Sequence, residues 1–254
     1  VAESRFIHGF HAVTAKLRQH PDDVQEIFLS RERQDVRARD LVKLAELHGI
    51  RLMLVDNARL DGMAGGGEQK NPRHQGVVAR VSAVQRMIHL DDVLDTLAEP
   101  ALLLVLDGVQ DPHNLGACLR VADAAGAQAV IAPKDRACGL NATAIKVASG
   151  AADTVPYIAV TNLARSLREI QERGIWIVGA DSEAEKDLYA VELAGPVAWV
   201  LGAEGAGLRR LTRETCDQLA RIPMNGSVDS LNVSVAAGIC LFEARRQRCA
   251  ARQA

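Results

Sequence analysis

Three stretches of this chain put polar side chains where an apolar run gives way to a loop. In the first, Leu104-Val105-Leu106-Asp107-Gly108-Val109-Gln110-Asp111-Pro112-His113-Asn114 leads from a hydrophobic strand through a turn into a helix that carries Asn114 and, six residues on, Arg120. In the second, Val197-Ala198-Trp199-Val200-Leu201 runs into the glycine-rich Gly202-Ala203-Glu204-Gly205-Ala206-Gly207. In the third, the apolar run from Gln218 to Ile222 breaks at Pro223 into Met224-Asn225-Gly226-Ser227-Val228-Asp229-Ser230-Leu231-Asn232, and a small-residue helix resumes with Ser or Asn as its cap. Such junctions leave backbone N–H groups unpaired, so main chain can hold a ligand while Ser230 and Asn232 present side chains to it. Each junction alone is equally an ordinary strand-to-helix turn. Likewise Arg120 alone is an exposed helix arginine, Glu204 an exposed loop carboxylate, and Ile222, Met224 and Leu231 core.

Several other chemistries do not fit. A dinucleotide site needs Gly-x-Gly-x-x-Gly directly after the first strand, where backbone meets a pyrophosphate. After Leu106 the chain reads Asp-Gly-Val-Gln-Asp-Pro-His-Asn instead, which disfavours a nucleotide-dependent oxidoreductase. Neither Ser227 nor Ser230 lies in the Gly-x-Ser-x-Gly of a hydrolase elbow. Cysteines 118, 138, 216, 240 and 249 are odd in number and never closely spaced, and no histidine spacing suits a metal, so neither a disulfide framework nor a zinc site is expected. Cys118, Cys216 and Cys240 stand among apolar neighbours as small buried hydrophobes.

The elements that must position these residues follow from periodicity. With 254 residues, 48% hydrophobic and 3% aromatic, the chain suits one large or two small domains with aliphatic cores. A short amphipathic helix is expected over 11–20, strands at 24–29 and 50–55, a basic helix over 35–48, a further strand ending at Val81, and a mobile loop from Gly62 to Arg73. Arg31, Arg33, Arg37 and Arg39 crowd the turn before that basic helix, with Glu32, Asp35 and Asp40 among them. They read as either a solvated face or a phosphate-contacting patch. Residues 82–100 read as a connector with a short helix near 91–97. Beyond it, strands at 101–106, 129–132, 155–159, 175–179, 197–201 and 219–222 alternate with helices at 114–125, 141–149, 163–173, 208–217 and 233–248, the pattern of a mostly parallel sheet covered on both faces. The net charge is −2, but residues 1–81 hold 13 Lys/Arg against 11 Asp/Glu and five of the seven histidines, so any polyanion contact is expected there. No apolar stretch reaches 18 residues and the N-terminus has no secretory pattern, giving the expectation of a soluble, cytoplasmic protein without membrane contact.

Taken in this order and spacing, the three stretches resemble the signature motifs of the SpoU (TrmH-like) branch of the SPOUT RNA methyltransferases. The segments His8-Gly9-Phe10-His11-Ala12-Val13 and His74-Gln75-Gly76-Val77-Val78-Ala79-Arg80-Val81 are similar to that family's small RNA-binding domain. The resemblance implies an α/β chain: an N-terminal RNA substrate-binding domain over 1–81, like ribosomal protein L30e, a linker over 82–100, and a SPOUT catalytic domain over 101–254 with a deep trefoil knot. Periodicity alone gives an open, unknotted sheet. The activity implied is 2′-O-methylation of a ribose from S-adenosylmethionine, the substrate being most like a guanosine of 23S ribosomal RNA. A tRNA ribose methylase of the same superfamily and an RNA-binding protein without turnover are the alternatives. The residues implied for catalysis are Arg120, Asn114, Glu204, Ser230 and Asn232, and for the cofactor Leu201, Gly202, Ala203, Ile222, Met224 and Leu231, with no metal. The partners implied are RNA and a second copy of the chain, joined through the catalytic domain, so that the arginine of one subunit completes the site of the other.

Overall fold

The computed structural model describes residues 4–64, 74–82, 89–97 and 100–252. The chain divides into two compact units, residues 1–86 and 87–254.

The first unit runs β1 (Ser4–His8), α1 (Phe10–Gln19), β2 (Val24–Ser30), α2 (Val36–Leu47), β3 (Arg51–Val55), α3 (Asn57–Ala64) and β4 (Val77–Ser82). Its sheet has the order β1-β4-β2-β3, with β4 antiparallel to both neighbours and β2 parallel to β3. Strand alternation sends Ile27, Leu29, Val77, Ala79 and Val81 to a face shared with Val13 and Leu17 of α1 and Leu41 and Ala45 of α2. Phe28 and Val78 face the opposite way and meet Leu60 of α3. Gly62, Met63 and Ala64, expected to begin a mobile loop, are instead the last residues of α3. Leu60, Met63 and Ala64 stand at i, i+3 and i+4, so one apolar face packs on Phe28 and Val78 and overrides the local glycine. The rest of that loop, with Lys70 and Arg73, lies outside the described residues. Strand β1 carried no expectation; only its pairing with β4 makes it a strand.

The second unit runs α4 (Leu90–Asp95), β5 (Leu102–Asp107), α5 (Pro112–Ala125), β6 (Ala129–Pro133), α6 (Ala142–Ala148), α7 (Ala151–Thr154), β7 (Tyr157–Val160), α8 (Leu163–Glu172), β8 (Trp176–Ala180), β9 (Val197–Gly202), α9 (Arg210–Thr215), β10 (Gln218–Ala220) and α10 (Val233–Ala251). Six strands form a parallel sheet in the order β10-β8-β9-β5-β6-β7. Because both faces are covered, β5 is buried from end to end, which is why its sequence is an unbroken apolar run up to Asp107. Leu104, Val130, Trp199 and Leu201 pack on one face with Leu119 of α5 and Leu241 of α10; Leu103, Val105, Ala198 and Val200 pack on the other with Leu167 and Ile170 of α8. Helix α4 falls in the stretch expected to be linker, yet Leu90, Val93 and Leu94 are buried in this second core, and Arg173 pairs with Asp91 and Asp95.

Candidate active site

Strands β5 and β9 are neighbours in the middle of the sheet, with Asp107 beside Gly202 at their carboxyl ends. Helix α5 leaves β5 on the face covered by α10, whereas the chain after β9 leads to α9, which packs with α8 on the other face. The connections diverge there, and in an open α/β sheet ligands bind at such a crevice.

The first turn of α5 brings Asn114 to this crevice. Asp111 caps the helix by accepting the His113 N–H at 2.8 Å, and Pro112 sits at N1, where its missing N–H costs nothing. Gly116 lets α5 lie directly on α6: a Cβ there would stand 2.5 Å from the Ala144 carbonyl oxygen and 2.6 Å from Val147 Cβ. Glu204 follows Gly202 in a tight turn closed by the Gly207 N–H donating to the Ala203 carbonyl at 2.9 Å and the Ala203 N–H donating back at 3.2 Å. At Gly202 a Cβ would meet Gly207 carbonyl carbon at 2.1 Å. The absence of a side chain there is thus required by the loop's own backbone. Asn232 caps α10, its Oδ1 accepting the Ser234 N–H at 2.9 Å and the Ser234 hydroxyl at 2.6 Å.

These three side chains meet. Asn232 Nδ2 donates to Asn114 Oδ1 at 2.8 Å and to Glu204 Oε1 at 2.7 Å, while Asn114 Nδ2 donates to the same Glu204 oxygen at 3.1 Å. A carboxylate only accepts, so Glu204 fixes which end of each amide faces it. The arrangement ties together one residue from each of the three junctions.

Arg120 and Ser230 are not part of this network. Both are exposed, and among the described residues neither side chain has a hydrogen bond or ion pair. Six residues of helix place Arg120 about 9 Å along α5 from Asn114 and about a third of a turn around it, and Asn232 has already spent its amide elsewhere. The third junction is open in another sense: among the described residues no backbone N–H from Ile222 to Leu231 is hydrogen-bonded within the chain, while Ile222, Met224 and Leu231 are half-buried beside it. Main chain is free there to grip a ligand. Leu201 is buried at the end of β9, with Gly202 and Ala203 half-buried after it.

One pair escaped the sequence reading. Asp107 is wholly buried, yet it is the last residue of β5. It accepts the Arg209 backbone N–H at 2.9 Å, and its other oxygen pairs with the Arg209 guanidinium. A charge at the foot of the sheet so holds the far end of the Glu204 loop. The signal was present in the sequence: a carboxylate closing an apolar strand is buried unless the strand ends early, and a buried carboxylate needs a partner. The thiol of Cys118, on α5 between Asn114 and Arg120, is pushed up to about 12 by burial and by the nearby Glu204 charge, so it is a neutral packing group.

Known proteins of similar sequence place the chain in a family. Residues 101–242 match the SpoU rRNA Methylase family, and residues 6–87 match the RNA 2′-O ribose methyltransferase substrate binding domain. The chain belongs to the SpoU rRNA methylase family, and its fold is that of the SPOUT methyltransferases. Among its relatives, the 23S rRNA (guanosine-2′-O-)-methyltransferase RlmB of Ralstonia nicotianae is 60% identical over 248 residues, which is 98% of both chains. The solved structure of the SpoU methyltransferase AviRb from Streptomyces viridochromogenes in complex with AdoMet superposes with a TM-score of 0.71 at 25% identity, covering 97% of this chain and 91% of that one. The TrmH/SpoU tRNA modifying enzyme of A. aeolicus matches with a TM-score of 0.56 at 31% identity over 63% of this chain and 81% of its own.

Proposed function

We propose that this protein transfers the methyl group of S-adenosylmethionine to the ribose 2′-oxygen of a guanosine in 23S ribosomal RNA. The observation that carries the reading is the joining of Asn114, Glu204 and Asn232 across three junctions at the sheet's switch point, with main chain from Ile222 to Leu231 left unpaired beside it. The likeness to the Ralstonia enzyme over nearly the whole chain supports the substrate, and the substrate-binding match over 6–87 favours it over the tRNA branch, whose A. aeolicus member spans 63% of this chain.

In this reading Leu201, Gly202, Ala203, Ile222, Met224 and Leu231 hold the cofactor, largely through backbone. When bound, it supplies a methyl group on a positively charged sulfur, ready for displacement. The ribose 2′-oxygen that takes this methyl would release its proton to water. A guanidinium is a poor base, so Arg120 serves by holding the flanking phosphate or stabilising the developing alkoxide. Asn114, Glu204 and Asn232 fix the crevice, and Ser230 positions the ribose. The free guanidinium, not bonded to Asn232 in its own chain, acts at the site of a second copy. The exposed Val235 and Phe242 on α10, with half-buried Ile239 between them at i, i+4 and i+7, support such a homodimer. The deep knot implied by the family belongs to this reading.

The test is to map methylated riboses in RNA from cells lacking the protein. Loss of one guanosine methyl in 23S RNA is expected; loss of a tRNA methyl selects the other branch. Purified Arg120→Ala should bind S-adenosylhomocysteine normally yet transfer no tritiated methyl. Near-normal turnover in that variant rejects the assigned role. A monomer in sedimentation equilibrium removes the shared site.

A further inference from the structure

The first unit has a switch point of its own. After β2 the chain enters α2 on one face of the sheet, and after β3 it enters α3 on the other. The carboxyl end of β2 therefore lies beneath diverging connections, and a cavity of about 460 Å³ lies there. Apart from Gly76, every residue that lines it carries a polar side chain.

The polar groups are held in place and only half used. Glu32 accepts from Asn57 Nδ2 at 2.7 Å through one oxygen. His74 Nδ1 accepts the Gly76 N–H at 2.9 Å, so the ring proton is on Nε2, which donates to Asp61 Oδ1 at 3.0 Å. Among the described residues the second oxygen of each carboxylate has no partner. Arg33 is clamped more firmly: Phe10 covers one face of its guanidinium at 5.3 Å, Asp35 takes an edge at 2.7 Å, and Nε donates to the Gln75 carbonyl at 3.0 Å. The turn that presents this carbonyl holds Gln75 at φ 53° and Gly76 at φ 86°, and a Cβ on Gly76 would meet Arg33 Cγ at 2.8 Å.

We propose that this cavity takes an unpaired guanine of the RNA substrate, read by Glu32 and stacked on Arg33. The inference rests on the chain acting on RNA. Two carboxylates repel phosphate, so the part of RNA that enters is a base. Guanine presents adjacent N1–H and N2–H donors to a single carboxylate, whereas uracil has one N–H donor and adenine and cytosine set their amino group beside an acceptor. Unstacked RNA bases are commonly held by such edge contacts and by arginine planes. A metal ion is the weaker match, since among the described residues no group of three or more His, Cys, Asp or Glu side chains is placed to hold one.

The test measures fluorescence anisotropy of labelled UGU, UAU, UUU and inosine-containing UIU trinucleotides with the full chain. UGU should bind about tenfold tighter than UAU or UUU, with UIU between. Glu32→Gln keeps an oxygen for Asn57 and turns the free position into a donor, so the preference should vanish and the KM for a 23S transcript should rise at constant kcat. Equal binding of the four trinucleotides, or a preference unchanged in Glu32→Gln, overturns the proposal. So does calorimetric binding of Mg²⁺ or Ca²⁺ alone that Glu32→Gln abolishes without any base preference. A wild-type chain that prefers UGU but methylates no 23S transcript refutes the proposed function and leaves the cavity assignment standing.

Discussion

Both units place a crevice where helices diverge from neighbouring strand ends, but they furnish it differently. In the second unit the side chains bond chiefly to one another: Asn114, Glu204 and Asn232 close a ring through one Glu204 oxygen, Asp107 is matched by Arg209, and what remains open is the second Glu204 oxygen and the backbone from Ile222 to Leu231. In the first unit the backbone turn is closed and the side chains stay half spent, with Glu32 and Asp61 each keeping a free oxygen. The contrast has a physical reason. A crevice that grips a cofactor through main chain needs rigid walls, whereas one that reads the edge of a base needs unsatisfied acceptors.

The sharpest way to break this comparison is to open the rigid wall. Arg209→Ala leaves the buried Asp107 carboxylate with only the backbone N–H of residue 209, and removing one member of a buried pair costs at most about 3–5 kcal/mol. Both tryptophans, Trp176 and Trp199, lie in the second unit, so their fluorescence on urea unfolding reports that unit alone and should show the loss. Glu32→Gln should leave the same transition in place. If Arg209→Ala melts like the parent chain, the clamp on the Glu204 loop is unimportant.

Gly202→Ala comes next. Its Cβ would enter the backbone at Gly207, and overpacking of this kind costs about 1–3 kcal/mol. Thermal unfolding checks the cost, and calorimetry with S-adenosylhomocysteine should show weakened binding. Asn232→Ala removes a helix cap, worth about 1 kcal/mol, and frees both Asn114 and Glu204. Turnover should fall far more than stability, and a loss of turnover no larger than the loss of folded protein would reduce Asn232 to a cap.

The smallest effect concerns the thiols. Cys118 and Cys216 are each pushed up to about 12, burial being the leading cause, and Cys240 is pushed higher still by burial alone. Under native conditions Cys249, exposed on α10, should react with a thiol reagent while Cys118 and Cys240 stay silent until unfolding. Raised thiol pKa values keep these groups neutral through mildly alkaline pH, so turnover should show no thiol titration there. Rapid native labelling of Cys118 would show that α5 is not firmly packed.

Much was legible from residue order. The unbroken apolar run of Leu102–Leu106 announced a strand buried on both faces, and its repetition announced the parallel sheet. A Ser or Asn cap before the last helix was legible from residue type, and the structure shows it to be Asn232. Residues 57–64 failed as a helix signal because Gly62 and weak periodicity mask a face that Phe28 and Val78 complete. Strand β1 failed because edge pairing, not local pattern, defines it.

By itself, then, the sequence determined most of the strands and helices, because burial imposes a period on residues near in the chain. Only the tertiary structure decided which junctions meet. Asp107 finds Arg209, and Asn114 finds Asn232, because β5 and β9 are neighbours and α10 packs on α5. Strand order and helix docking are settled by contacts among distant residues, for which no local period exists.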